Sequence, residues 1–392
     1  MGPGFPNPFG FDFTQLMRML QSQGPVNLDV ARQVATAVAT ADPGTGQPRP
    51  EPPVDPDAAR ALDDVVRAAQ TFVADATGIS EALGVRSRSV DRATWAAETL
   101  QGLAPVFESL AAALGRAPGP GAADAGDAAP EDAFVGALVQ SLMPVLLGVW
   151  SGWMVGELSH QALGQYDLPL PLAAPPQLLF VARNVDEFAA AWSLPRDEVH
   201  YALALRESVH GAQRSVPWVR ERLVRSSQAY VGAYELRADA LEEQLSGLDL
   251  TDPSSVQQIG NVTDAGALLG AMRSERQGPL LEELQRYVSV LEGYADVVVE
   301  ALGERMVSSH ARIDEALRRH RLERGRAASF VDRLLGLELD RGHYEAGLAF
   351  CRGVVERAGM EGLNRLWEDE RMVPTRAELE APGLWLARIE LG

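Results

Sequence analysis

Apolar residues recur along this chain at three- and four-residue spacing, the period of amphipathic helices. Leu62, Val65, Val66 and Ala69, and later Leu100, Leu103, Val106 and Leu110, mark Asp57 to about Gly115 as helical. Upstream, PVNLDVARQVATAVATA reads as a shorter helix with Asn27 or Asp29 near its N-cap, where a side-chain oxygen accepts a free backbone N–H. Pro195 and Pro217 each open a further helix, because a missing N–H costs nothing in the first turn. These are LPRDEVHYALALRESVHGAQRS and PWVRERLVRSSQAYVGAYELRADALEEQL. After a turn-rich loop, SGLDLTDPSS, helices resume from about Gly278 to the end, apart from turns near Gly342 and Pro374. Only QLLFVA has the short apolar grammar of one or two strands. The expectation is a mainly α fold with a small β element.

Two Pro- and Gly-rich stretches interrupt the pattern. PGTGQPRPEPPVDP, residues 43–56, cannot be helical, and RAPGPGAADAGDAAP makes 116–130 a linker. With a loosely held tail over 1–24, this divides the chain into an N-terminal helical region, 25–115, and a larger helical domain, 131–392.

One helix calls for a membrane test. AFVGALVQSLMPVLLGVWSGWMVG, residues 133–156, carries no charge and is long enough to span a bilayer, and Gly148, Gly152 and Gly156 recur every four residues. Its flanks are acidic (Glu131, Asp132, Glu157), without the basic anchors a span prefers, and Gln140, Ser141 and Pro144 interrupt the run. A buried helix in a large core fits better, so no membrane span is expected. The formal net charge of −19 argues against nucleic acid and against anionic lipid, both of which need a basic face. No lysine occurs, which excludes Schiff-base and Walker-type chemistry. A lone cysteine, Cys351, excludes an internal disulfide and a cysteine-based zinc cluster. With no basic-then-apolar leader at the N-terminus, a cytoplasmic protein is expected.

Of six histidines, His210 alone stands in a setting that suggests a site. In Arg206-Glu207-Ser208-Val209-His210, the glutamate and histidine share a helix face. The zincin pattern His-Glu-x-x-His places two imidazoles one turn apart on Zn²⁺, with the glutamate as general base on bound water. Here Glu207 would be the base and His210 the second ligand, while Arg206 stands in the first ligand's place. A second signal is LEGYADVVVE, where Glu292 and Asp296 lie four apart on an otherwise apolar helix, with Tyr294 between them as a neighbour. Burying that pair requires a partner, a metal or an arginine. His310 and His320 lie in RMVSSHARIDEALRRHRLERGR, which reads as a solvated basic face, and Trp218 and Trp367 read as core aromatics. No G-x-S-x-G elbow for serine catalysis is present.

RESVHGAQRSVPWVRERL, LEGYADVVVE, ALGQYDLPLP, FDFTQLMRML and the C-terminal GLELDRGHYEAGLAFCRGVVERAGMEGLNRLWEDERMVPTRAELEAPGLWLARI together resemble an actinobacterial family, the type 2 zincin-like metallopeptidases. Its members are also described as hydrolases, and a related branch is associated with biosynthesis of a deazaflavin coenzyme. The resemblance implies a zincin-like helical core and Zn²⁺ held by two histidines and a glutamate. Residue by residue it makes His210 the second ligand, Glu292 the third and Glu207 the base, for hydrolysis of a peptide or small amide. Arg206 has no lone pair to give, so zinc is possible but its absence is favoured. Three arrangements stay open: Arg206 pairs with Glu292 in place of the metal; Asp296 completes a displaced site, His200 being two helical turns before Glu207 and about 10 Å away, too far for one ion; or Glu207, His210 and Glu292 hold another hard metal. The functional expectation is a zinc-dependent hydrolase with a degenerate motif, or, alternatively, a non-enzymatic scaffold or interaction protein on the same fold.

Overall fold

In a computed structural model, residues 24–42, 44–115, 130–235, 272, 274–322 and 325–391 are described, with the side chains of 130–142, 326, 327 and 391 left aside. Helix α1, Leu28–Ala39, starts where expected: the Asn27 side chain accepts the Val30 N–H at 3.1 Å. The uncharged segment forms α4, Pro130–Ser159. It lies across α1 with its three glycines at the crossing. A Cβ at Gly148, Gly152 or Gly156 would run into the Asn27 carbonyl, the Ala31 backbone or the Val38 side chain. The four-residue glycine spacing therefore serves close packing of two helices within this core. No described helix is long and apolar enough to cross a membrane.

Between them run α2, Pro56–Thr77, and α3, Arg92–Leu114, capped by Asp55 and Asp91. The stretch expected to be helical throughout is broken here by a one-turn 3₁₀ helix, Ser80–Gly84, and by strand β1, Arg86–Val90. β1 reads RSRSV, with four of its five residues partly or fully exposed, so no apolar alternation reveals it. It pairs in parallel with β2, Gln177–Val181, the strand expected from QLLFVA, in the register Arg86↔Gln177 to Val90↔Val181. These two strands make the small β element of a mostly helical fold.

β2 leads into α5, Ala182–Ala191, then α6, Arg196–Ser215, and α7, Pro217–Val231. α7 stops at Gly232, short of the expected run to Leu245; residues 236–271, with the SGLDLTDPSS loop, lie outside the described residues, as does most of the 116–130 linker. The C-terminal part holds α8, Gln277–Met306; α9, His310–Leu322; α10, Arg326–Leu335; and α11, Arg341–Asn364. Short helices α12, Arg376–Glu380, and α13, Pro382–Leu391, close it.

α8 is central and packs on α6, α7 and α11. At its crossing with α11 the backbones touch: a Cβ at Gly293 would strike Gly347, and one at Gly347 would strike the Ser289 carbonyl. That contact fixes the height of α8 beside the turn carrying Glu292. One continuous apolar core runs from Val26 to Ile389 and includes residues from both sides of the 116–130 segment.

Candidate functional site

Helix α6 turns Arg206, Glu207, His210, Gln213 and Arg214 inward, none of them more than 4% exposed. α8 presents Glu292 and Asp296 opposite. A polar face this buried needs internal partners, and most of its atoms find them. Arg206 donates from Nη1 to Asp296 Oδ1 at 2.7 Å and from Nη2 to Glu292 Oε2. A second guanidinium enters from α9: Arg321 Nη1 lies 3.2 Å from the same Glu292 Oε2 and 3.3 Å from the same Asp296 Oδ1. Its guanidinium carbon sits 5.3 Å from the centre of the Tyr344 ring. Two cations and two anions thus close a buried square. Burial opposes the charge on Arg206, but the Glu292 and Asp296 carboxylates outweigh it and raise its pKa. Burial likewise opposes ionisation of Asp296, yet Arg321 and Arg206 hold its carboxyl below the usual range.

Arg321 is the residue that sequence reasoning missed. It belongs to the run expected to be a solvated basic face, and its neighbours fit that expectation: Arg318 and Arg319 are exposed and pair with Asp314 and Glu315. Arg321 instead turns inward, 6% exposed, because it continues the buried face of α9 that carries Ile313 and Leu317, eight and four residues before it. His320 also faces the protein, with Nε2 3.1 Å from the Gln161 carbonyl and 3.4 Å from Asp167 Oδ2.

His210 is fully buried. The Gln213 amide donates to the Leu291 carbonyl at 2.9 Å, so its oxygen is left to accept from His210 Nδ1 at 2.9 Å. This places the imidazole proton on Nδ1 and the lone pair on Nε2. Nε2 has no hydrogen-bond partner and lies 3.7 Å from Glu292 Oε1, the oxygen the arginines do not use. Arg214 Nη1 comes within 3.3 Å of Nδ1 but cannot donate to a nitrogen that carries its own proton. Burial, then Arg206 and Arg214, push the His210 pKa well below its ordinary value, so the ring is neutral.

Glu207 is engaged elsewhere. Both its oxygens accept the Tyr166 N–H, at 2.9 and 3.2 Å, from the loop between α4 and β2. Gly164 in that loop leaves room for the carboxyl group, which a Cβ there would strike. Burial raises the Glu207 pKa to about 8 against the pull of the Tyr166 N–H, with Asp167 adding to the rise. Near neutral pH the group is mostly protonated. Arg214 stacks over the Tyr166 ring at 4.6 Å. The remaining candidates stand apart. Tyr294 points to Asn364, which accepts from its hydroxyl at 2.7 Å, and to the edge of Trp367. His200 lies 3.9 Å from Asp186 beside a separate cavity. Trp218 and Trp367 pack on each other, as expected of core aromatics.

A surface cavity of about 400 Å³ opens on the cluster, with Asp296 and Arg321 at its wall beside Arg318, Arg341, Tyr344 and Leu348. A buried arginine–carboxylate square thus lies beside a histidine with a free lone pair, on helices crossing around one core. The model of the zincin-like metallopeptidases matches residues 26–386. The chain belongs to the zincin-like metallopeptidase family. Among solved structures it resembles a crystal structure from Chloroflexus aurantiacus described as a "putative hydrolase with a novel fold". The two share 24% identity and a TM-score of 0.60 over 93% of this chain and 99% of the other, a likeness of fold. No curated protein matches.

Family membership raises the question of zinc. His210 Nε2 suits a metal ion, since its tautomer is fixed and its lone pair buried. The rest of the set does not. Glu292 Oε2 and Asp296 Oδ1 are taken by guanidinium groups, and the residue preceding Glu207 is an arginine, which has no lone pair. A catalytic zinc site keeps three protein ligands and a water. Among the described residues no group of three or more His, Cys, Asp or Glu side chains is placed to hold a metal ion. This donor set does not fit zinc.

Proposed function

We propose that this zincin-like protein has exchanged its metal ion for arginine. It keeps the fold of a metallopeptidase-like hydrolase without zinc-dependent hydrolysis at this motif, and it acts as a non-enzymatic binding or scaffold protein. The observation that carries this reading is Arg206 bridging Glu292 and Asp296. Glu207, whose carboxyl accepts the Tyr166 backbone N–H, supports it, because the motif's base is bonded to the loop between α4 and β2. The cavity beside Asp296 and Arg321 stays open to a peptide that is bound and not cut. A second reading, a peptide or amide hydrolase with His210 and Glu292 on the ion and Glu207 as base, draws on family membership and on the free lone pair of His210.

Metal analysis separates the two. Full-length protein purified without chelators and dialysed against zinc is expected to hold far less than one zinc per chain and to leave peptide libraries uncut. Stoichiometric zinc, or cleavage abolished by a chelator, supports the hydrolase and overturns the proposal.

A further inference from the structure

Arg206 alone would be one positive charge between two carboxylates. The buried square holds two: Arg206 and Arg321 both reach Glu292 Oε2 and Asp296 Oδ1. Two guanidinium groups carry the charge of one divalent cation, and they discharge the same two acids. Resting on the reading just proposed, the geometry points to a joint replacement, in which Arg206 and Arg321 together stand in for a single Zn²⁺ and cover a latent zinc site that both must vacate.

Three features keep the site latent and not erased. First, His210 Nε2 is buried with its lone pair uncommitted, and Gln213, held by the Leu291 carbonyl, locks the tautomer. Second, that atom faces Glu292 Oε1 at 3.7 Å. Ligands about 2.0–2.2 Å from a tetrahedral zinc lie a few tenths of an ångström closer together than that, so a small shift brings both onto one ion. Third, a cavity that opens to solvent reaches two members of the square, Asp296 and Arg321. A histidine at 206 would supply the third donor one helical turn from His210.

The charge count separates a joint replacement from a simple lost ligand. In Arg206→His, zinc and Arg321 together bring three positive charges to two carboxylates, and Arg321 competes with the ion for Glu292 Oε2. In Arg206→His/Arg321→Met, zinc meets the two carboxylates alone. Zinc titration of the two full-length variants, with cobalt(II) absorption as a probe of tetrahedral coordination, should show one site per chain in both. Affinity should be about tenfold or more higher in the double variant, the equivalent of one charge-assisted hydrogen bond no longer competing. The double variant, with two bare buried acids, should also gain thermal stability on adding zinc, whereas Arg321→Met alone should bind none. Equal affinity in the single and double variants removes Arg321 from the replacement. Failure of both to bind, or to fold even when refolded with zinc present, overturns the latent site. Zinc in the unmodified protein would instead overturn the reading on which this rests.

Discussion

The Glu207 carboxyl keeps its proton over a pH range in which an unfolded chain has lost it. Its ordinary pKa is 4.5 and its folded value is raised to about 8. Between those values the native state binds the extra proton, so stability falls as pH rises from about 4.5 to 8 and levels off above. Glu207→Gln, which keeps an oxygen for the Tyr166 N–H and cannot ionise, should match the parent near pH 5. By pH 9 it should be more stable, by ~4 kcal/mol in urea titration. Parallel pH profiles would mean that Glu207 is not buried in this way. The arginine square has a different signature. Glu292→Gln leaves Arg206 and Arg321 sharing Asp296, and breaking a buried pair on one side costs about 3–5 kcal/mol. A loss below about 1 kcal/mol would say that the square does not form. At this scale the sequence was half legible. Glu292 and Asp296 stood out because charges in an apolar run demand a partner, and Arg206 because it interrupts a motif. Arg321 could not be seen, since one inward arginine among several outward ones leaves no mark on the pattern.

At the scale of elements, glycine decides how closely helices pass. A side chain at Gly152 on α4 meets the backbone of Ala31 on α1, and backbone cannot rotate away. Gly152→Val should therefore cost about 1–3 kcal/mol by overpacking, read in chemical denaturation. Gly278→Ala, at the start of α8 with open space around the new Cβ, should be neutral or slightly stabilising. If the two variants behave alike, α1 does not cross α4 here. The C-terminal half of the uncharged run of α4, where Leu147, Met154 and Val155 are buried, packs as its acidic flanks suggested, and its glycines form the packing seam. β1 was not, because a strand whose side chains mostly face solvent carries no alternation, and only its pairing with β2 makes it one.

For the whole molecule the proposed replacement of metal by arginine would remove the usual linkage between metal and stability. A protein that binds zinc is stabilised in proportion to the logarithm of free ion over Kd, and loses that on chelation. Here EDTA, or zinc added in excess, is expected to leave the melting temperature within about 1 °C of the untreated protein. A chelator-induced drop would restore the metal to the account. The one continuous core also couples the region before 115 to the helices after 131, since α1 packs on α4 and β1 pairs with β2.

The sequence by itself determined the helical class, through its 3.6-residue apolar period, and the family, through motif segments spread along its length. It also determined that position 206 cannot ligate a metal, because that follows from the chemistry of one side chain. Only the tertiary structure decided what fills the gap. Whether a buried acid meets a metal or a guanidinium depends on which distant side chain arrives there. Arg321 comes from a helix 29 residues past Glu292, brought in by the packing of α9 and not by any local pattern.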